Sequence, residues 1–427
     1  MDCQPQIGRI VEKLQQVLRA EKPSFGSETH RFVLAEPIGE EAILLFESQH
    51  GVRLPGDYRQ FLVLAGGSGA GPYYGILPLD KWDDANGGRN TLPADYLARP
   101  CPLVPGTKAK LPLRAGSESG IDPRDELLHG CIALVSQGCS YYAILIVSGA
   151  ARGRVAYISL DDPENVYFPE NLSFLSWYER WLDELLAGYD TTWFGYGALG
   201  TEEELALRLK DPALSADDKS AALRTLMRID PLTLSTMEIL SAYSKDTSEA
   251  PTPRATAASL FISRSDDTAY VRLLLQDSCA EIRKEVLLAI VRKKSPTLTD
   301  AVRQLIHDPD STVVDKALLH GKGILTRSEI APFLKSENVD LRRTAIYSLG
   351  GAPDACVEEL LALASPEADQ YCRIYAIQAL RDLKHRAARA PLEKLLKRET
   401  EALVRTNILR ALENLDKRGS GKSILKQ

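Results

Sequence analysis

The sequence predicts an α+β domain with a small antiparallel sheet, followed by an all-α solenoid of paired helices. Three observations carry this expectation. From about Thr201 onward a pattern recurs every 28–32 residues or so. Before that point, three runs rich in Val, Ile, Tyr and Ala are bounded by glycines, as in a meander of short strands. Amphipathic stretches flank those runs on both sides. The 427 residues are 44% hydrophobic and 26% charged, with 24 Pro and 29 Gly, which excludes disorder and collagen and predicts two or three domains.

In chain order, apolar residues at helical spacing predict helices over 7–20, 40–50 and 57–65. Pro55 suits a helix N-terminus, where its missing N–H is no loss, and Tyr58, Phe61 and Leu62 then share one face as core. Residues 92–123 hold six prolines, Pro93, Pro100, Pro102, Pro105, Pro112 and Pro123, and are expected to form an inserted loop, ordered or acting as a flap over one face. Strands are expected over 131–136, 141–147 and 154–159. A helix from Phe174 to Leu186 carries Trp177, Trp181 and Leu185 on one face, most simply to pack on the sheet. Gly188, Gly195, Gly197 and Gly200 then mark the junction, giving domains over 1–198 and 201–427.

The repeats align on their first apolar residue at Ile282, Val313, Leu341, Cys372 and Leu403-Val404, with weaker copies near Lys219 and Pro253. Each opens a helix with apolar or small residues at i, i+4, i+7 and i+8, as in Ile282, Val286, Ala289 and Ile290. Asp- and Pro-rich turns such as His307-Asp308-Pro309-Asp310 precede them, and Asp or Asn there caps the helix by accepting an orphan N–H. One helix pair cannot bury its own apolar face, so the copies must stack. The Asp cap, the Val-Arg or Leu-Arg start and the Ala-x-x-Ala-Leu packing of Arg373, Ala376, Ala379 and Leu380 resemble HEAT repeats, from which Val314 departs by standing where the other copies have Arg.

The first half carries three blocks in order: Phe46-Glu47 with Leu54-Pro55-Gly56-Asp57-Tyr58-Arg59-Gln60-Phe61, Gly66-Gly67-Ser68-Gly69 and Pro72 through Leu79; Gly138-Cys139-Ser140-Tyr141-Tyr142 with Leu145-Ile146-Val147; and Phe174 with Trp177-Tyr178-Glu179 and Trp181-Leu182. Together they resemble the SUKH superfamily, which includes fungal cell-wall-synthesis regulators and many bacterial immunity proteins. The long Pro-rich insertion departs from that family. The resemblance implies an immunity protein that binds and sterically neutralises a cognate toxin, one directed at nucleic acid. The alternative is a non-catalytic interaction scaffold or regulator of the cell-wall-synthesis type.

Charge agrees with a basic toxin as partner. About 17 basic and 25 acidic residues lie in 1–200, against about 35 and 33 in 201–427, so the halves carry roughly −8 and +2 of the net −6. An acidic domain speeds encounter with a basic partner and argues against direct nucleic-acid binding. The expected contacts are Asp80, Asp83, Asp84, Asp161, Asp162 and Glu164, which fall on loops flanking the sheet. As neighbouring acids in polar turns they do not suit paired acid–base catalysis, which needs one carboxyl buried and raised in pKa.

No catalytic, metal or cofactor site is expected. Gly66-Gly67-Ser68-Gly69-Ala70-Gly71 follows a helix and leads into Pro72, unlike a nucleotide loop, and no Gly-x-x-x-x-Gly-Lys-Ser/Thr motif occurs. No His lies at metal-ligand spacing from another His or a Cys, and the seven scattered cysteines suit reduced thiols. Without a signal-peptide pattern or a spanning apolar run, the chain is expected in the cytoplasm, away from membranes.

Overall fold

A computed structural model describes residues 3–20, 24–87, 92–106, 123–162, 165–170, 172–366, 368–383 and 386–416. The chain forms two compact units, Met1–Ile239 and Leu240–Gln427.

The first unit opens with helices α1 (Gln4–Ala20), α2 (Glu40–His50) and α3 (Gly56–Leu64). After two short 3-10 turns, Leu79–Lys81 and Asp84–Asn86, come α4 (Pro123–Leu128), the strands β1 (Cys131–Gly138), β2 (Tyr141–Ile146) and β3 (Val155–Ser159), and α5 (Phe174–Ala187). Pro55 sits at the N-cap of α3, one step ahead of its first helical residue, where the missing N–H again costs nothing. Tyr58, Phe61 and Leu62 are buried as their spacing predicts.

The sheet is antiparallel in the order β1-β2-β3, with Cys131 opposite Ile146 and Tyr142 opposite Ile158. Alternation sends its side chains into two separate cores. Ile132, Leu134, Leu145, Val155 and Tyr157 pack with α1, α3 and α5, whose Phe174, Trp177, Tyr178 and Trp181 are fully enclosed. The indole of Trp177 donates to the Tyr157 hydroxyl at 2.7 Å, and Tyr178 donates to the Ala70 carbonyl at 2.8 Å. The two tryptophans are core, and neither lines a groove. On the other face Ala133, Ile144, Ile146, Ala156 and Ile158 meet Cys101, Leu103 and Leu128. The described part of the Pro-rich segment is therefore an ordered cover, held to β1 where the Cys101 and Cys131 thiols meet at 3.2 Å; residues 107–122 lie outside the described residues.

The first unit runs past the glycine-marked junction to include α6 (Glu202–Arg208) and α7 (Ala216–Leu226), and the division falls within α8 (Leu234–Lys245). The reason is a buried charge cluster. Glu184 on α5 accepts from Arg180 Nε at 2.7 Å and from Arg228 just beyond α7. Arg180 also donates to the Ala198 carbonyl at 2.9 Å and Arg228 to that of Asp190 at 2.6 Å, and both guanidinium groups face the ring of Phe194 at 6.0 Å. The Thr225 hydroxyl donates to the same Ala198 carbonyl at 2.8 Å, and α7 is locked to the domain.

The second unit contains α9 (Pro251–Arg264), α10 (Thr268–Leu274), α11 (Ala280–Lys293), α12 (Leu298–Leu305), α13 (Ser311–His320), α14 (Arg327–Ile330), α15 (Val339–Leu349), α16 (Val357–Leu363), α17 (Gln370–Leu383), α18 (Arg389–Arg398) and α19 (Ala402–Asp416). Every aligned segment opens a helix, and one continuous core runs from Ala258 through Ile282, Val313, Leu341 and Ile377 to Ile408. Asp267, Asp310, Asn338 and Asp369 cap α10, α13, α15 and α17 by accepting backbone N–H groups at 2.8–3.1 Å. Among the described residues no helix is long and apolar enough to cross a membrane.

The Arg of the repeat signature has a structural partner one repeat on. Arg254 pairs with Asp277 at 2.5 Å, Arg283 binds both oxygens of Asp308 at 2.6 Å, and Arg373 pairs with Glu399, all buried. Arg342 repeats the contact loosely, 3.9 Å from Asp369, and Val314 replaces it with apolar packing. Removing one partner strands a buried charge, whereas removing both does not. Arg283→Ala is expected to destabilise the second unit by about 3–5 kcal/mol. Arg283→Met with Asp308→Leu is expected to come much nearer the parent, and urea unfolding of the full chain compares the two. A double variant as weak as the single one would mean that the pair is not the source of the loss.

Candidate functional site: the hairpin end of the sheet

The predicted contact acids lie in two loops: one runs beside β1, where the Ala133 N–H donates to the Trp82 carbonyl, and the other follows β3 at the β1–β2 hairpin end of the sheet. Asp80 is exposed on the first 3-10 turn, and Asp83 and Asp84 are half-buried just after it. Asp84 accepts from the Tyr142 hydroxyl at 3.0 Å, and burial together with this bond pushes the Tyr142 pKa up to about 12. Asp161 and Asp162, both exposed, follow β3. Asp161 accepts from Ser140 at the hairpin tip, two residues from Tyr142, so both loops engage one end of β2. Glu164 lies outside the described residues. Asp84 is thus partly structural, while Asp80, Asp161 and Asp162 present charge to solvent.

The same end of the sheet exposes aromatic rings that sequence reasoning missed. Phe25, Tyr74, Tyr141 and Trp193 are 39–57% exposed. Trp193 falls in a glycine-marked stretch read as a junction, and Tyr74 in a family block read for its strand. A ring–glycine pattern such as Trp193-Phe194-Gly195-Tyr196 was the available signal.

A cleft of about 500 Å³ in the first unit lies beside α5 and is lined by Gln6, Glu179, Arg180, Asp183, Glu184 and Glu204, among others. Its carboxylates already have structural donors. Glu179 accepts from Gln6, Arg9 and Lys13 at 2.9–3.0 Å, Asp183 pairs with Lys13 at 2.6 Å, Glu184 holds the two arginines, and Glu204 completes the capping box of α6. Among the described residues, no group of three or more His, Cys, Asp or Glu side chains is placed to hold a metal ion.

An α+β domain with surface acids, followed by paired-helix repeats, is a protein-interaction architecture. Residues 37–180 match the SMI1/KNR4 family (SUKH-1), and residues 328–413 match HEAT repeats. The chain joins a SUKH domain to HEAT repeats, and both support a role in binding protein. No curated protein matches the chain. Solved structures with similar helical arrays include YibA of Escherichia coli, with 16% identity over 57% of this chain and 89% of that one at a TM-score of 0.40. Others are the archaeal HEAT-like repeats protein from Thermococcus onnurineus NA1 (11%, 52% and 99%, TM-score 0.32) and human deoxyhypusine hydroxylase (16%, 51% and 96%, TM-score 0.25). At these scores the likenesses carry no functional weight.

The Glu179 cluster, which ties α1 to α5, has a pH signature. Burial alone would raise this carboxyl, but hydrogen bonds from Arg9, Lys13 and Gln6 prevail and hold it at about 2. A carboxyl depressed in the folded state contributes stability that is present above its unfolded pKa and lost as pH falls toward the folded value. Stability of the parent should therefore fall between about pH 5 and pH 2, and Glu179→Gln should be weaker at pH 7 with a flatter profile across that window. Urea midpoints at stepped pH check this, and parallel profiles would exclude the cluster as the source.

Proposed function

We propose that this chain is a bacterial immunity protein that binds a cognate toxin in the cytoplasm and blocks it by covering its working surface, without catalysis or a cofactor. The observation that carries the reading is a SUKH domain with Asp161 and Asp162 exposed at the hairpin end of its sheet and Asp80 exposed on the loop beside β1. A toxin that acts on nucleic acid needs a basic groove, and an acidic surface complements it and competes with its substrate. The HEAT repeats supply further protein-binding surface. The SUKH resemblance supports this reading because the superfamily includes bacterial immunity proteins.

The test is affinity capture of the full chain from its native strain, followed by purification of the captured protein. The captured protein should cleave or modify nucleic acid, and the chain should stop it at stoichiometric amounts. A captured protein without toxic activity, together with a deletion strain disturbed only in wall growth, would replace this reading with a regulatory scaffold.

Charge reversal tests the contact loop. Asp161→Lys with Asp162→Lys should slow association with the captured toxin by about tenfold or more at low salt and much less at high salt, because exposed charges steer encounter and are screened. Folding should be unchanged. Stopped-flow association at two ionic strengths reads the effect, and equal rates for parent and variant would remove this loop from the interface.

A further inference from the structure

We infer that Phe25, Tyr74, Tyr141 and Trp193 form the anchor of the docking surface and that they receive an arginine-rich protein surface. The inference rests on the interaction reading above and names where and how contact is made.

Four segments distant in sequence are fastened together to build this surface. The Ser24 and Thr191 hydroxyls share a hydrogen bond of 2.8 Å, and the Thr29 hydroxyl donates to the Tyr74 carbonyl at 3.0 Å. Tyr73 donates to the Phe194 carbonyl at 2.7 Å, and Tyr196 donates to Gln137 at 3.4 Å. Two glycines permit the close approach. Gly26, at φ +79°, lies where a Cβ would meet the Tyr73 carbonyl oxygen at 2.4 Å, and a Cβ on Gly138, at φ +94°, would meet the Tyr74 ring at 3.1 Å. Only the backbone of glycine fits the first position.

The rings fall into separate contact groups set on these segments. Phe25 meets Tyr74 at 5.7 Å between centroids, Tyr74 lies over the hairpin at Gly138, and Tyr141 is the residue paired with Gly138. Tyr196 stacks on Tyr167 at 5.3 Å and meets Trp193 edge-on at 5.8 Å. Beneath them Tyr73, Tyr157 and Phe194 are fully buried, so the exposed rings stand on a rigid base. Phe25 is 41% exposed, Tyr74 39%, Tyr141 41% and Trp193 57%, although each could have been packed inward by a domain that encloses its other aromatics.

Charge selects the partner. On residues 24–32, 72–75, 136–142, 159–162 and 189–197 the exposed ionisable groups are Glu28, Asp161, Asp162 and Asp190 against Arg31 alone. Tyr and Trp faces in an acidic field attract guanidinium groups, through the ring quadrupole and by flat stacking, more than they attract ammonium groups. The same field repels phosphates and opposes use of the rings as a base-stacking platform. Rigid aromatic rings with an acidic rim match the composition of interface hot spots, in which a few such side chains dominate affinity.

The probe is a fluorescein-labelled nona-arginine peptide, titrated against the full chain by fluorescence anisotropy, with nona-lysine and a twelve-residue oligothymidine in parallel. The expected result is saturable binding in the order arginine, lysine, oligothymidine. Tyr141→Ala and Trp193→Ala should each weaken nona-arginine binding by about threefold to tenfold without changing the thermal transition. Asp161→Asn with Asp162→Asn should weaken both cationic peptides alike. Unchanged binding in both aromatic variants would overturn the anchor while leaving the acidic loop in place, and preference for the oligothymidine would overturn the choice of partner. If the aromatic dependence holds but the captured protein of the preceding section is not a toxin, the anchor stands and the immunity reading fails.

Discussion

A guanidinium group removed from water needs a counter-charge from the protein, and that need shapes how helices join in this chain. Arg180 and Arg228 meet it by converging on Glu184, with Phe194 between them, although one Nη of each has no hydrogen-bond partner among the described residues. Arg254, Arg283 and Arg373 meet it with an acid in the turn leading to the next repeat. Such pairs add little net stability over apolar packing, because desolvation offsets much of the attraction. Their effect is on register: a helix displaced by one turn would leave a charge stranded, so the repeats that carry a buried pair have one acceptable position against the next.

The repeats and strands were legible because their signals are local and periodic. Apolar spacing located every inner helix from Ile282 to Ile408, and glycines bounded the strands to within a residue or two. The Arg of each repeat was legible as a pattern, with Val314 as its exception, but its acid partner was not, since Asp308 and Glu399 look like ordinary turn residues. The cover over the second face of the sheet was also hidden. Cys101 and Leu103 sit in a segment whose prolines advertise a loop and conceal two buried side chains. Sequence polarity puts the acids on loops, and only tertiary structure reveals that Asp84 is bound to Tyr142 whereas Asp162 faces solvent.

The aromatic surface was the least legible feature, for a physical reason. Trp177 and Trp193 are the same residue type, each near other aromatics, and one is fully enclosed while the other is half exposed. What separates them is the helical period around Trp177 and its absence around Trp193. Exposure at Trp193 follows from hydrogen bonds that fasten four loops together, and no window of sequence contains more than one of those loops.

Closure of the sheet leaves its hairpin end as the part turned to solvent. Both faces of the three strands are buried, one under α1, α3 and α5 and the other under the Pro-rich cover. The edges are occupied as well: Leu77 N–H donates to the Leu134 carbonyl beside β1, and Tyr167 bridges Tyr157 beside β3. Among the described residues both edges thus carry backbone partners, which works against the common route of strand addition. What the sheet still offers is its end, where backbone turns leave side chains free to project. A rigid core that exposes only loop ends can vary those side chains at little cost to its own stability, since surface substitutions away from buried features change folding energy by about half a kcal/mol or less. In the proposed role of fitting one partner, that separation of scaffold from contact surface is the useful consequence of enclosing the sheet.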